Sequence, residues 1–299
     1  MKQMWQLRFL LVSLGLSHSL FSQNNILVFQ TDFGLKDGAV SAMKGVAMGV
    51  SPTLRLFDLT HEIPTYSTWE AAYRLEQTAS YWPKGTVFVS VVDPGVGTNR
   101  KSIVLKTKSG HFFVGPDNGS FTLVAESLGI QEVHEINEVV NRRQESGASY
   151  TFHGRDVYAY TGAKLAASMI SLEEVGTLLP SEVVKIPYQK AILRDKNIVG
   201  GIPILDIQYG NVWTNISASL FQKLKIQAGQ KVKVTIWKKD ELIFQDELPF
   251  ANTFGDVAEG QNVCYLNSLL NFSLAINMGS FADKYGIKSG PDWKIQLGH

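Results

Sequence analysis

The sequence of 299 residues predicts an α/β protein whose N-terminal domain has a mostly parallel sheet flanked by helices. A smaller, all-β, barrel-like domain is expected to follow. Two observations support this division. In the first half, apolar runs typical of strands alternate with runs of helical periodicity. After about Pro187, short stretches alternate apolar and polar residues between turn residues, which is typical of antiparallel strands. We place the domains at 24–185 and 186–299.

The N-terminal elements follow one another along the chain. Residues 26–34 (ILVFQTDFG) predict a strand, and 39–50 carry small and apolar residues at helical spacing. A second strand is expected within 53–63, and helical periodicity over 67–81 ends at the stop signal Trp-Pro-Lys-Gly. The third strand, TVFVSVVD, is almost continuously apolar, as expected for a strand that is covered on both faces.

The remaining elements complete the two domains. Residues 102–119 predict a hairpin that leads into a turn, GPDNG, whose residue types favour a structural role. In the C-terminal part, strands are expected within 191–216, 231–237 and 241–248. No internal repeat or low-complexity segment is visible.

Composition excludes several classes of protein. The formal net charge is +1, so no global field would recruit nucleic acid or an anionic membrane. The single cysteine, Cys264, cannot form an internal disulfide. The sequence contains no CxxC motif and no Cys/His array of the kind that binds zinc.

The N-terminus carries the pattern of a secretory signal peptide. Lys2 and Arg8 precede an apolar run at 9–16, and small or polar residues follow. The apolar run is too short to be a stable membrane anchor. We therefore predict a signal peptide at 1–23 and an exported protein, periplasmic or secreted. The alternative is an N-terminal extension that packs on a cytoplasmic protein.

Polar side chains follow three predicted strands: Asp32, then Asp58 with His61, and then Asp93. Ligands of open α/β sheets bind beyond the carboxyl ends of the strands, so a site is expected at this edge. Asp32 could accept hydrogen bonds from a sugar diol, or it could cap the next helix. No motif that cradles a diphosphate is present.

The segment VVDPGVGTNR ends a buried strand on Asp93, turns through glycines and returns Arg100 seven residues later. A second polar segment, TFHGRD, places His153 beside a glycine. Its Arg155 and Asp156 are expected to form a structural pair. A third segment, DIQYGNVWTN, is a weaker signal, in which an aspartate could pair with an ammonium group and an asparagine could bind a carboxylate or an amide.

These motifs, taken in order, resemble those of a known family. TDFG, DLTHEI, VVDPGVGT, GPDNG, TFHGRD and YGNVWTNI are similar to motifs of the S-adenosyl-L-methionine hydroxide adenosyltransferases, which are hydrolases related to the fluorinase and the chlorinase. The resemblance extends from about Ile26 to the C-terminus. It implies an α/β domain, a β domain and a homotrimer in which the ligand lies between the N-terminal domain of one subunit and the C-terminal domain of its neighbour.

The resemblance also implies a catalytic triad of Asp93, Arg100 and His153. The fluorinase has a tyrosine at the position of Asp93 and a halide-binding serine at that of Gly154. The halogenases also have a long insertion between VLKTKSG and HFFVGPDNG that this chain lacks. These three departures favour water over halide as the nucleophile.

Further substrate contacts are implied by the same resemblance. Asp32 matches the group that holds the ribose hydroxyls, and the aromatic contacts match Tyr66, Phe152 and Tyr209. Asp206 and Ser268 match the residues that hold the methionine amine and carboxylate. Asn211, Asn277 and Met278 match the residues that contact adenine. Ile276 stands where the fluorinase has an arginine, so adenine is expected to be held differently there.

The expected reaction is in-line attack of water or hydroxide on the ribose 5′ carbon, with methionine leaving. No cofactor is expected, because S-adenosyl-L-methionine is the substrate. Two alternatives stay open. One is a metal-dependent hydrolase that uses Asp32, Asp58, His61, Asp93 and His153 as ligands. The other is a non-catalytic protein that binds adenosine or S-adenosyl-L-methionine.

Overall fold

The computed structural model describes residues 24–298. The predicted signal peptide lies outside the described residues. The N-terminal domain is built on a seven-stranded sheet of order β2-β1-β3-β5-β4-β6-β7. Its strands are β1 Ile26–Thr31, β2 Arg55–Thr60, β3 Val87–Val91, β4 Ser102–Thr107, β5 Phe112–Pro116, β6 Ile130–Ile136 and β7 Gly176–Leu179.

The strand directions confirm the predicted α/β class. Strands β2, β1, β3 and β5 pair in parallel, whereas β4 is antiparallel to both β5 and β6, and β7 is antiparallel to β6. Five of the seven strands therefore run in one direction. The predicted hairpin is present as β4 and β5. Its second strand lies next to β3, so the carboxyl end of β3 opens at the middle of the sheet.

Helices cover both faces of this sheet. They are α1 Ala39–Val50, α2 Thr68–Ala79, α3 Thr122–Leu128 and α4 Tyr160–Ala166, and a π-helical turn, Gly154–Ala159, precedes α4. The alternation along β1 sends Leu27 and Phe29 into the core that contains residues of α1 and α4. Ile26 and Val28 enter the opposite core, with residues of α2 and α3. Burial on both faces explains why the strand is apolar throughout.

The C-terminal domain has two antiparallel sheets, of orders β10-β11-β15-β14 and β13-β12-β16-β9-β8. Residues of both sheets enter one hydrophobic core, so the all-β prediction is confirmed. Two short helices, α5 and α6, accompany the strands. The bounds are β8 Ile192–Arg194, β9 Asn197–Ile202, β10 Ile204–Asp206, β11 Asn211–Ser217, α5 Ala218–Phe221, β12 Lys231–Lys238, β13 Glu241–Pro249, β14 Asn262–Leu266, β15 Asn271–Ile276, α6 Phe281–Tyr285 and β16 Gly290–Gly298.

The two domains touch along α2. The Trp69 indole Nε1 donates a hydrogen bond of 2.9 Å to the Pro203 carbonyl, and Tyr73 packs with Ile204 and Trp213. Our domain boundary falls in the stretch between β7 and β8 and stays a prediction. Within residues 24–298, no helix is both long enough and apolar enough to cross a membrane.

Candidate active site

A buried ion pair lies at the carboxyl end of β3. The Arg100 Nη2 donates to the Asp93 Oδ2 over 2.7 Å, and the Arg100 Nε lies 3.1 Å from each carboxylate oxygen. Only 6% of the Asp93 side chain and 11% of the Arg100 side chain are exposed. A guanidinium that contacts a carboxylate through two of its nitrogens forms a strong and directional pair. The two residues that the sequence singled out are therefore brought together.

The glycine turn explains how Arg100 returns to Asp93. The chain reverses after β3 through a turn in which the Val96 N–H donates to the Asp93 carbonyl. Gly97 has φ of +77°, a left-handed conformation that side chains other than glycine rarely adopt. The predicted structural turn GPDNG contributes as well, because the Asn118 side chain donates to the Val92 carbonyl over 2.8 Å. The turn thus holds the end of β3 in place.

The ion pair continues into a polar network. The Arg100 Nη1 donates to the Ser102 Oγ over 3.1 Å, and the Ser102 hydroxyl donates to the Glu138 Oε1 over 2.8 Å. The Tyr158 hydroxyl lies 3.2 Å from the same Ser102 oxygen. Burial raises the pKa of Tyr158 well above its usual range, so its hydroxyl stays neutral. Burial alone would lower the pKa of Arg100, but the bond to Asp93 and the neighbouring charges leave it raised.

His153 joins this network through its Nε2 atom. The Nε2 lies 3.4 Å from the Glu138 Oε2 and 3.3 Å from the Arg142 Nη2. The Nδ1 atom is buried and has no hydrogen-bond partner within residues 24–298. His153 immediately precedes the π-helical turn, a conformation that is frequent at functional sites. Glu138 and Ser102 thus link the third predicted catalytic residue to Asp93 and Arg100.

The sequence patterns did not indicate Glu138 or Arg142. The Glu138 Oε2 accepts a hydrogen bond of 2.9 Å from the Arg142 Nη2. Hydrogen bonds from His153, and then from Ser102 and Arg142, outweigh burial and lower the pKa of Glu138 to about 2. Both residues lie in the polar stretch between β6 and His153. The only local signal was their spacing of four residues, which is common on protein surfaces.

Asp32 and Tyr66 lie together at the neighbouring strand end. The Asp32 Oδ2 accepts a hydrogen bond of 2.9 Å from the Tyr66 N–H, and Tyr66 is 68% exposed. The helix-capping alternative for Asp32 is wrong, because α1 begins after Gly38 without a side-chain cap. The Asp32 carboxylate is therefore free to accept hydrogen bonds from a ligand.

Phe152 and Gly154 flank His153 on the same side of the sheet. The Phe152 ring packs edge-on against Phe33, with 5.8 Å between ring centroids. A Cβ atom on Gly154 would lie 3.1 Å from the Val91 Cγ1 and 3.4 Å from the Phe33 ring. A side chain at position 154 would therefore press on Val91 at the end of β3 and would require its neighbours to shift by a few tenths of an ångström.

Asp58 and His61 form a separate chain of contacts. The Asp58 carboxylate binds the Lys44 ammonium at 2.6 Å and the His61 Nε2 at 2.9 Å, and the His61 Nδ1 lies 2.8 Å from the Thr31 hydroxyl. Both ring nitrogens of His61 are thus engaged. Residues 24–298 contain no group of three or more His, Cys, Asp or Glu residues placed to hold a metal ion. Of the candidate ligands of the metal-dependent alternative, Asp58 and His61 contact each other, but no three come together in the part of the chain that the structure describes.

The substrate-binding residues expected in the C-terminal domain form a second set. Asp206 accepts a hydrogen bond of 3.0 Å from the Asn211 amide. Asn277 donates to the Val257 carbonyl. Ser268 is exposed in the turn between β14 and β15. Tyr209 and Met278 are 68% and 83% exposed. Among the described residues, no hydrogen bond, ion pair or ring contact joins this set to the triad or to Asp32.

Two sizeable cavities lie away from both sets. They have volumes of about 450 and 520 Å³ and lie between the domains, where Trp69 and Tyr188 line both of them. No residue of the triad lines either one. The triad lies instead at and around the carboxyl end of β3.

Comparisons with known proteins match both domains of this chain. Residues 27–176 match the model of the SAM hydroxide adenosyltransferase N-terminal domain, and residues 200–294 match that of the C-terminal domain. An (R)-S-adenosyl-L-methionine hydrolase of Salinispora tropica is 33% identical, over 90% of this chain and 97% of the relative. A fluorinase of Nocardia brasiliensis is 30% identical, over 91% and 97%. The crystal structure of an uncharacterized conserved protein from Thermotoga maritima has a TM-score of 0.85 and 34% identity, over 91% and 100%.

Proposed function

The chain belongs to the SAM hydroxide adenosyltransferase family, and we propose that it is an enzyme that hydrolyses S-adenosyl-L-methionine (SAM) to adenosine and L-methionine. The observation that carries this proposal is the polar network at the end of β3. Near the carboxyl end of β3 it brings together a buried carboxylate–guanidinium pair and an imidazole nitrogen that has no hydrogen-bond partner among the described residues. Strand ends of this kind are where α/β proteins bind their ligands.

The leaving group, methionine, requires little assistance from the enzyme. Water attacks the ribose 5′ carbon in line with the bond to sulfur, and the electron pair of that bond goes to the sulfonium sulfur, which becomes the neutral thioether of methionine. One proton is released from the attacking water. The site must therefore supply a proton acceptor and fix the water in line with the carbon, since such positioning and proton transfer each lower the barrier substantially.

The chemistry of Asp93 favours water over halide as the nucleophile. Its carboxylate, only 6% exposed, can accept a hydrogen bond from water, whereas a halide has no hydrogen to donate to it. Gly154 also offers no hydroxyl to an anion. Both features support hydrolysis within a family that also contains fluorinases.

We propose that the active form is a homotrimer with sites between subunits. Among residues 24–298, no hydrogen bond, ion pair or ring contact joins the N-terminal set, which includes Asp32 and the triad, to the C-terminal set, which includes Asp206 and Asn211. Tyr66, Tyr209 and Met278 are all more than 60% exposed, although large apolar side chains are usually covered. A second copy of the chain would bring the two sets together and cover these side chains. Analytical ultracentrifugation tests the trimer.

Two further expectations belong to the same proposal. The enzyme needs no cofactor, so its turnover should survive a strong chelator. The protein is exported after removal of residues 1–23, which mass analysis of the mature N-terminus in the producing cell would test.

The decisive experiment is incubation with SAM in ¹⁸O-labelled water, followed by mass analysis of the adenosine. Because the hydrolase relatives are named for (R)-SAM, both sulfonium epimers are assayed, with and without chloride. Label at the 5′ oxygen supports hydrolysis. Absence of turnover by the folded oligomer, or formation of a 5′-halogenated product, would overturn the proposal.

A further inference from the structure

We propose that Glu138 is a positioning residue that makes His153 the proton acceptor of the reaction, with the Nδ1 atom facing the attacking water. This inference rests on the proposed hydrolysis and names the base within it. Its evidence is the arrangement of the atoms around the imidazole ring.

The two ring nitrogens of His153 have different surroundings. Nε2 faces the Glu138 Oε2 at 3.4 Å and the Arg142 Nη2 at 3.3 Å. Among residues 24–298, Nδ1 has no hydrogen-bond partner, although it is buried in a side chain that is only 6% exposed. A buried polar atom without a hydrogen bond is unfavourable, so a water or ligand atom is expected to contact it. The nitrogen that lacks a protein partner is the one available for chemistry.

Asp93 is poorly placed to be the acceptor. Its Oδ1 receives the Arg100 Nε, and its Oδ2 receives both Nε and Nη2. The guanidinium therefore engages both carboxylate oxygens. Asp93 can still orient the water through a hydrogen bond, while the proton moves to His153.

The tautomer of His153 decides whether Nδ1 can accept that proton. When Nε2 carries the hydrogen, it donates to Glu138 and leaves a lone pair on Nδ1. In the other tautomer Nε2 accepts from Arg142, and Nδ1 already carries a hydrogen. Glu138 favours the first state, because its carboxylate can only accept a hydrogen, and the competing donor, Arg142 Nη2, lies closer to the Glu138 Oε2 (2.9 Å) than to the imidazole Nε2 (3.3 Å). A carboxylate on the far nitrogen is a known means of orienting a catalytic histidine.

The charges around the ring are compatible with this role. Glu138 and Arg142 approach from the stretch after β6. The Arg142 guanidinium also lies over the Tyr150 ring, at 4.7 Å. The Tyr150 and Tyr158 rings lie 6.4 and 6.3 Å from the imidazole. The Arg100–Asp93 pair lies on the other side of Ser102, to which Arg100 donates a hydrogen bond. When Nδ1 takes the proton from water, the resulting imidazolium keeps the carboxylate of Glu138 beside it.

The chain offers a matched control in the same domain. His134 and Glu132 form a similar pair, with 3.3 Å between Nε2 and Oε2, and both glutamate side chains are 31% exposed. In contrast to His153, the Nδ1 of His134 lies 3.3 Å from the Gly176 carbonyl and is therefore engaged. Glu132→Gln removes a similar charge without touching the site.

The test compares Glu138→Gln and Glu132→Gln with the wild-type enzyme in full pH–rate profiles. For Glu138→Gln we expect kcat to fall about 10–100-fold, less than the ~10²–10⁴-fold expected for loss of the base itself, while KM changes less than about 2-fold. The acid limb of kcat should move to lower pH, because the imidazolium loses its carboxylate partner. Glu132→Gln should match the wild type. A Glu138→Gln profile that coincides with that of the wild type would overturn the inference.

A second measurement does not depend on turnover. ¹⁵N NMR of the wild-type imidazole distinguishes a nitrogen that carries hydrogen from one that does not. We expect hydrogen on Nε2 and none on Nδ1 at neutral pH, and the reverse assignment would overturn the inference. If the wild type does not hydrolyse SAM, the proposed function fails, while the NMR assignment still decides the role of Glu138.

Discussion

Replacing Arg100 with methionine should destabilise the protein and nearly abolish turnover. The substitution keeps most of the side-chain volume but removes three N–H···O contacts of 2.7–3.1 Å with Asp93. The carboxylate would remain buried without its partner. Breaking a buried ion pair typically costs 3–5 kcal/mol. Because the two side chains keep 6% and 11% of their surface exposed, we expect the lower end, about 3 kcal/mol in the free energy of unfolding.

Urea unfolding at one fixed protein concentration measures this loss. The midpoint should fall by about 1 M with an unchanged slope, since slopes for chains of this size are near 3 kcal/mol/M. Lys101→Met is the control, because its ion pair with Glu135 is 3.2 Å long and the two side chains are 46% and 41% exposed. Such a surface pair contributes at most about 1 kcal/mol, so the control should change little.

A double variant separates the loss of the pair from the loss of the arginine itself. Adding Asp93→Asn to Arg100→Met removes the unpaired charge, so part of the lost stability should return. The reasoning is wrong if Arg100→Met loses less than about 1 kcal/mol, or if the double variant is as unstable as the sum of the single ones. Both single variants should lose about 10²–10³-fold in kcat, the usual effect of removing one preorganised electrostatic group.

Three further predictions concern the same site. His153→Ala should lower kcat by about 10²–10⁴-fold while calorimetry shows nearly unchanged binding of SAM, and an unchanged rate would remove His153 from the mechanism. Asp32→Ala should weaken SAM binding about 10–100-fold, because two charge-assisted hydrogen bonds to the ribose are lost, and should change kcat less. The lowered pKa of Glu138 stabilises the fold above its ordinary value of 4.5, and this contribution is lost as the pH falls towards about 2. In acid unfolding, the free energy of unfolding of Glu138→Gln should therefore fall less between pH 4.5 and about 2 than that of the wild type, by at most about 3 kcal/mol.

The elements that sequence could predict are those with local causes. The apolar run of β3 and the glycines after it lie within one stretch of chain, so the pairing of Asp93 with Arg100 follows from neighbouring residues alone. The β4–β5 hairpin is local in the same way. The position of β5 beside β3 is not local, because it depends on how the sheet pairs over long range.

The distant members of the site were less accessible to sequence reasoning. His153 lies 60 residues beyond Asp93, and its assignment depended on the family resemblance. Glu138 had no signal beyond its spacing of four residues from Arg142, and a glutamate in a polar stretch is usually a solvated surface residue. Its role depends on the fold, which brings this stretch against Ser102 and the π-helical turn. The hydrogen-bond partner, and not the residue type, distinguishes it from other glutamates.

The arrangement of charges suits the movement of charge in the reaction. Asp93 and Arg100 neutralise each other, as do Glu138 and Arg142, so the network is close to neutral when the sulfonium arrives. As the bond between carbon and sulfur breaks, the positive charge on sulfur disappears, and an equal charge appears on the imidazole that has accepted the proton. Glu138 lies at the receiving end of this transfer and already contacts the ring, so little reorganisation is needed at the moment of reaction. A carboxylate on the far side of the histidine therefore stabilises the transition state more than the bound substrate, which is the condition for a rate increase.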